Sequence, residues 1–206
     1  MTATPMDRPL SGYQPLTDLA QAFIAPALSP GGYAVDATVG NGHDSLFLAR
    51  SIGPEGHLFG FDVQASAIDL TFRRLRQVEL DAGVSLFHEG HERLAERLAG
   101  EYGGRIQAIM FNLGYLPGGD KGVTTRSETT LAALQACEAL LMPGGRLTIL
   151  AYTGHPGGER EAETVELWLN GLDPAQWLWH GIRPESMHRP PRLHCCERTP
   201  GRPGLE

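Results

Sequence analysis

Two stretches of this 206-residue chain bring together residue types that can do chemistry. The first runs Asp36-Ala-Thr-Val-Gly-Asn-Gly-His-Asp44, with Gly40, Asn41 and Gly42 between two carboxylates. Glycines let a backbone turn sharply and approach a ligand closely where a helix begins. Twenty residues past Gly42 stands Asp62, at the end of an apolar run. A carboxylate there can accept both hydrogens of a ribose diol. A dinucleotide site prefers a third glycine where this chain has Ser45, and its pyrophosphate would be repelled by Asp36 and Asp44. The same charges attract a cationic sulfonium and an amino-acid ammonium. The pattern favours S-adenosylmethionine over NAD.

The second stretch is Asn112-Leu-Gly-Tyr115-Leu-Pro117-Gly-Gly-Asp120-Lys121, which follows the apolar run 106–111 and contains the only lysine. An asparagine carbonyl and a neighbouring backbone carbonyl can accept the hydrogens of an amine and aim its lone pair at a methyl carbon. A tyrosine three residues on can stack on a planar base. A glycine-rich stretch from Tyr152 to Gly158 carries His155, a candidate base or substrate contact. Between the two lies Phe87-His-Glu-Gly-His91-Glu92, where an adenine would rest on His91 or Glu92.

These stretches need elements to hold them. Apolar residues at helical spacing predict an opening helix from Leu16 that Pro26 helps to end, then helices over 43–52, 66–81, 91–99, 127–142 and 159–171. Short apolar runs predict strands over 33–37, 57–61, 84–87, 106–111, 145–151, 176–182 and 192–198. Thr125-Arg-Ser-Glu128 has the spacing of a capping box. Strands alternating with helices imply right-handed βαβ units and a parallel sheet covered on both faces. The last two strands, with no helix between them, imply an antiparallel hairpin at the C-terminal edge. The expected fold is a doubly wound, Rossmann-like α/β domain spanning 1–206, with flexible ends over 1–13 and 200–206. Its ligands belong beyond the carboxyl ends of the strands, where the strand order reverses.

Composition narrows the class further. With 41% hydrophobic and 20% charged residues, a disordered chain is excluded. No apolar run approaches the roughly 20 residues of a membrane helix, and the start of the chain has no basic-then-apolar signal. A cytoplasmic protein is expected. The three cysteines form no disulfide framework or zinc spacing, and no metal is expected; Cys195 and Cys196 read as small residues facing opposite sides of a strand. The net charge of −7 argues against indiscriminate nucleic-acid binding. The stretch from Arg183 onward is nonetheless locally basic, and Arg189 and Arg192 are candidate phosphate contacts.

The blocks Asp36–Asp44, Gly60-Phe-Asp-Val-Gln64, Met110–Lys121 and Tyr152–Gly158 resemble the signatures of a bacterial methyltransferase family. The family was long labelled an rRNA methylase, and its characterised members are tRNA 5-aminomethyl-2-thiouridine methyltransferases. The likeness extends over about Leu16 to Arg198. It implies a class I methyltransferase fold using S-adenosylmethionine, an acceptor at the wobble uridine, and the tRNA anticodon arm as partner. By matching position, Asn41, Asp62, Gln64, His91 and Glu92 would line the cofactor, and Asn112, Tyr115 and Pro117 would frame methyl transfer. Two positions depart from the family pattern: His188 precedes Arg189-Pro190-Pro191 where asparagine is usual, and Gly90 stands in place of serine.

Methylation of a primary amine requires it to lose a proton first. Asp120, His155 and solvent are all candidates for the base. Asp120 and Lys121 are further candidate substrate contacts. Two other readings stay open: an amine in rRNA or a small molecule as acceptor, and a non-catalytic cofactor-binding protein. The sequence leaves the oligomeric state open; a homodimer is compatible with a domain this small, which has limited surface to grip an anticodon arm.

Overall fold

A computed structural model describes residues 14–119, 122–184 and 189–200. Among the described residues seven strands form one sheet: β1 (Tyr33–Asp36), β2 (His57–Phe61), β3 (Val84–Phe87), β4 (Ile106–Leu113), β5 (Leu141–Ala151), β6 (Trp177–Ile182) and β7 (Arg192–Arg198). Their order is β3-β2-β1-β4-β5-β7-β6. The first five are parallel, whereas β7 runs antiparallel to both β5 and β6. The order reverses between β1 and β4, so a crevice opens there at the carboxyl end of the sheet.

Alternation along each strand sends side chains into two cores. Val35, Ile109, Phe111, Ile149 and Cys196 face α4 (Leu94–Tyr102), α5 (Ser127–Leu140) and α6 (Gly158–Gly171). Ala34, Leu58, Met110, Leu150 and Cys195 face α1 (Leu16–Ile24), α2 (His43–Ile52) and α3 (Ala65–Arg76). Cys195 and Cys196 therefore point to opposite faces, and burial pushes the Cys195 thiol up to about 12. Among the described residues no helix is long and apolar enough to cross a membrane, and no cluster could hold a metal ion.

Three local expectations are corrected. The third helix ends at Arg76 rather than 81, followed by Glu79 at φ +57, a left-handed conformation that a continuing helix cannot contain. The fifth strand starts at Leu141 immediately after α5, with a register shift opposite Ile106–Ala108 that absorbs Pro143 and the two glycines. The capping box does not form: Arg126 occupies the N-cap position and no side chain caps the helix. Thr125 and Glu128 are drawn instead toward α6, to Glu161 and Arg160. The expected flexible ends fall outside the described residues, apart from Pro200.

Candidate active site

The crevice between β1 and β4 widens into an open cleft of about 2510 Å³. Small-molecule sites occupy roughly 300–1000 Å³, so this one has room for more than a cofactor. Asn112 on β4 stands in its wall. The loops after β1, β2 and β3 line one half; the Asn112–Arg126 loop, the β5–α6 loop, α1 and the β6 end line the other.

In the first half the chain turns at Gly40 (φ +50) and Gly42 (φ +76), conformations that suit glycine. The Gly40 N–H donates to Asp62 Oδ2 at 2.8 Å, and the Gln64 N–H donates to Asp62 Oδ1 at 2.8 Å. Asp62 thus ties the glycine turn to the end of β2, and each oxygen keeps a lone pair for a ligand. Burial raises its pKa, and these two N–H donors oppose the rise. Asn41 Nδ2 donates to the Pro117 carbonyl at 3.4 Å, joining the turn to the loop after β4. Gln64, His91 and Glu92 line the same half. His91 is buried edge-on against Phe111, and burial lowers its pKa to about 4, so its ring is neutral at pH 7. A Cβ at Gly90 would collide with the Glu92 carboxylate, which fills the space a serine would need.

Two predicted cofactor contacts are corrected. Asp36 is fully buried and does not line the cleft. Its parity on β1 aims it at α2, where it accepts from Ser45 Oγ at 2.6 Å and the Thr38 N–H at 3.2 Å. Burial, and then the charge of Asp44, push its pKa up to about 7. Gly42 is also buried away from the cleft, and a Cβ there would strike Thr71. Gly42 serves the turn and its packing on Thr71.

In the second half Asn112 is fixed on both sides. Its N–H donates to Thr38 Oγ1 at 2.7 Å, and its Nδ2 donates to Asp44 Oδ2 at 2.5 Å. The amide thus turns its NH₂ toward Asp44 and keeps Oδ1 for another partner. Tyr115 is 40% exposed, meets the His155 ring edge-on at 6.1 Å and forms a bridge to Thr124 that closes the loop. His155 Nδ1 lies 3.0 Å from the Pro156 carbonyl, while Nε2 is buried without a partner among the described residues. Pro117 is exposed at the mouth. Asp120 and Lys121 lie outside the described residues.

The basic segment divides. Arg189 is exposed at the cleft rim. Arg192 is corrected as a substrate contact: its guanidinium is committed to Glu159 and, at 3.4 Å, to Glu166. Arg183 pairs with Glu166, and Arg198 donates to the carbonyls of Glu138 and Leu141.

Residues invisible to pattern reading complete the site. Gln21 on α1 donates from Nε2 to Asp44 Oδ1 at 2.7 Å. The buried Glu161 accepts from Thr125 Oγ1 at 2.7 Å and Thr130 Oγ1 at 2.6 Å. Thr130 Oγ1 in turn lies 3.3 Å from His91 Nε2. Burial raises the pKa of Glu161 against these hydrogen bonds. The cluster pins the end of the loop after β4 to α6 and to the wall of the first half. Arg126, exposed at the start of α5, also lines the cleft.

Comparison with known proteins sets this geometry in context. A family described as "Putative rRNA methylase" matches residues 58–197. A chloroplastic "tRNA (mnm(5)s(2)U34)-methyltransferase" from Arabidopsis thaliana is 37% identical over 177 residues. The alignment covers 82% of this chain and 64% of that relative. A "putative rRNA-methylase" from Clostridium thermocellum superposes with a TM-score of 0.85 at 35% identity, covering 91% of this chain and all of that one. A "putative methyltransferase" from Streptococcus mutans, solved in complex with SAH, gives 0.80 at 30% identity with the same coverage. The doubly wound sheet with its antiparallel C-terminal strands is the class I methyltransferase fold.

Proposed function

This chain belongs to the family described as "Putative rRNA methylase", and on that premise we propose that it is an S-adenosylmethionine-dependent RNA methyltransferase. The acceptor in this reading is the aminomethyl nitrogen of 5-aminomethyl-2-thiouridine at the wobble position of tRNA. The name of the Arabidopsis relative supports that choice.

The cofactor half suits a sulfonium nucleoside. Among its described lining residues there is no Lys or Arg to meet a pyrophosphate. At Gly40 the backbone is left-handed (φ +50), a conformation that suits glycine, and a Cβ there would also press on Leu116 Cδ1 at 3.3 Å. Asp62 would hold the ribose diol, and Asn41, Gln64, His91 and Glu92 would line the rest. S-adenosylmethionine supplies an activated methyl group when bound.

The chain's own work is alignment. Asn112 Oδ1 accepts a hydrogen of the acceptor amine and turns its lone pair toward the cofactor half. Fixing that geometry can supply several kcal/mol of the barrier. Tyr115 offers a face to the base, and Arg189 with Arg126 offers phosphate contacts at the rim. The observation that carries the reading is the Asn112 amide, whose NH₂ is committed to Asp44 and whose oxygen is therefore the available group. A protein that only bound the cofactor would not need it. Nucleoside mass spectrometry of tRNA from a deletion strain tests the substrate: unmethylated 5-aminomethyl-2-thiouridine should accumulate and disappear on complementation. An unchanged tRNA profile with a missing rRNA methyl group would instead select rRNA, as the family description suggests.

A further inference from the structure

We propose that Asp44, held by Gln21, is the positioning residue of the transfer site, fixing and polarising the Asn112 amide. The inference rests on the reading above and extends it to two residues outside the reacting groups. The chain of contacts is short and complete: Gln21 Nε2 to Asp44 Oδ1 at 2.7 Å, and Asn112 Nδ2 to Asp44 Oδ2 at 2.5 Å. Each carboxylate oxygen thus receives one amide donor, and the three side chains come from α1, α2 and β4.

Asp44 is only 7% exposed, so its charge needs compensation. The two amide donors supply part of it, and its place in the first turn of α2, near the unpaired N–H groups, supplies more. A carboxylate used only to favour the helix could sit in solvent. Here it is turned inward onto the one amide whose orientation decides whether the cleft sees an acceptor oxygen or a pair of donors. A flipped Asn112 would donate from its NH₂ to the lone pair of the incoming neutral amine and hold that lone pair away from the methyl carbon. Hydrogen bonds in series strengthen one another, so donation to Asp44 makes Asn112 Oδ1 a better acceptor as positive charge develops on the nitrogen. Gln21 holds the carboxylate from the side opposite Asn112 and couples the packing of α1 to the site.

This role differs from the one the charge pattern first suggested, in which Asp44 faces the sulfonium directly. The two are separable with full-length protein. Asp44→Asn keeps the shape and removes the charge; its own NH₂ can then capture Asn112 Oδ1. Single-turnover methyl transfer should fall about a hundredfold, the cost of misalignment by about 1 Å. KM for tRNA and the ratio of SAM to SAH affinities should stay within about twofold of wild type, because neither requires the aligned amide. Asp44→Asn placed on Asn112→Ala should add almost nothing, since residues acting through one group are not additive. Gln21→Leu should show the same pattern at smaller size. Asn112 side-chain amide protons, assigned by their loss in Asn112→Ala, should exchange slowly in wild-type protein and faster in Asp44→Asn.

Selective loss of SAM over SAH affinity by more than tenfold in Asp44→Asn would overturn the proposal and return Asp44 to the sulfonium. Additive losses in the double variant, or equally fast amide exchange in wild type and Asp44→Asn, would overturn it as well. A wild-type protein inactive on the aminomethyl acceptor would sink the substrate reading instead, and the exchange measurement still decides the positioning role.

Discussion

The Gly40 N–H reaches Asp62 Oδ2 across 22 residues at 2.8 Å, so the glycine turn after β1 and the acidic end of β2 are a single unit. One carboxylate both shapes the loop and faces the ligand. Asp62→Ala should therefore weaken S-adenosylmethionine binding more than tenfold, since a hydrogen bond to a charged group contributes about 1.5–3 kcal/mol. Asp62→Asn should do no better, because its NH₂ would meet the N–H of Gly40 or Gln64. Titration calorimetry measures both; unchanged affinity in either variant would remove Asp62 from the cofactor site.

Asp36 gives a signature in stability. With its pKa raised to about 7 from an ordinary 3.8, the folded chain holds this proton more tightly than the unfolded one. The stability it contributes is complete below 3.8 and is lost as pH rises through about 7. His91 and His194, each lowered to about 4 by burial, act in the opposite direction between 4 and 6.5. The readout is therefore a difference: relative to Asp36→Asn, the wild-type melting temperature should drop as pH goes from 5 to 7.5. Parallel curves would show that Asp36 ionises normally.

The arginines should separate by role. Arg189→Ala and Arg126→Ala should each weaken tRNA binding and lower its salt dependence by about one unit of slope, with no loss of thermal stability. Arg192→Ala should instead cost about 1 kcal/mol of stability through its ion pairs with Glu159 and Glu166 and leave the slope unchanged. Filter binding over a salt series, with melting curves on the same variants, tests the assignment.

Glu161 should matter to the acceptor loop and not to the cofactor. Glu161→Leu leaves the Thr125 hydroxyl without its acceptor, leaves Thr130 only its contact with His91, and frees the loop end, so KM for tRNA should rise about tenfold while SAM affinity holds. Glu161→Gln, which can still accept from one threonine and donate to the other, should recover most of it. Equal defects in both variants would mean that charge, not anchoring, is what Glu161 provides.

Much of the fold is legible in the sequence. Strands 57–61, 84–87 and 192–198 are short apolar runs between turn residues and fold as read. Asp62 and Asn112 stand where topology makes strand ends informative, and both line the cleft. Asp36 was misread because side-chain parity on a four-residue strand is set by its register with β2 and β4. Arg192 was misread because its partners lie on α6 and become neighbours only when that helix packs. Gln21 and Glu161 had no signal at all: each is one polar residue in an amphipathic helix, acting on partners 23, 31 and 36 residues away.

The alignment of an amine by Asn112 is the centre of the account, and one rate measures it. Single-turnover transfer to tRNA carrying 5-aminomethyl-2-thiouridine, with S-adenosylmethionine and tRNA both saturating, isolates the chemical step. Asn112→Ala should slow that step about a hundredfold or more while leaving SAM affinity nearly intact. A wild-type rate in this variant would contradict the account and move the reacting centre away from β4, toward the loop around His155.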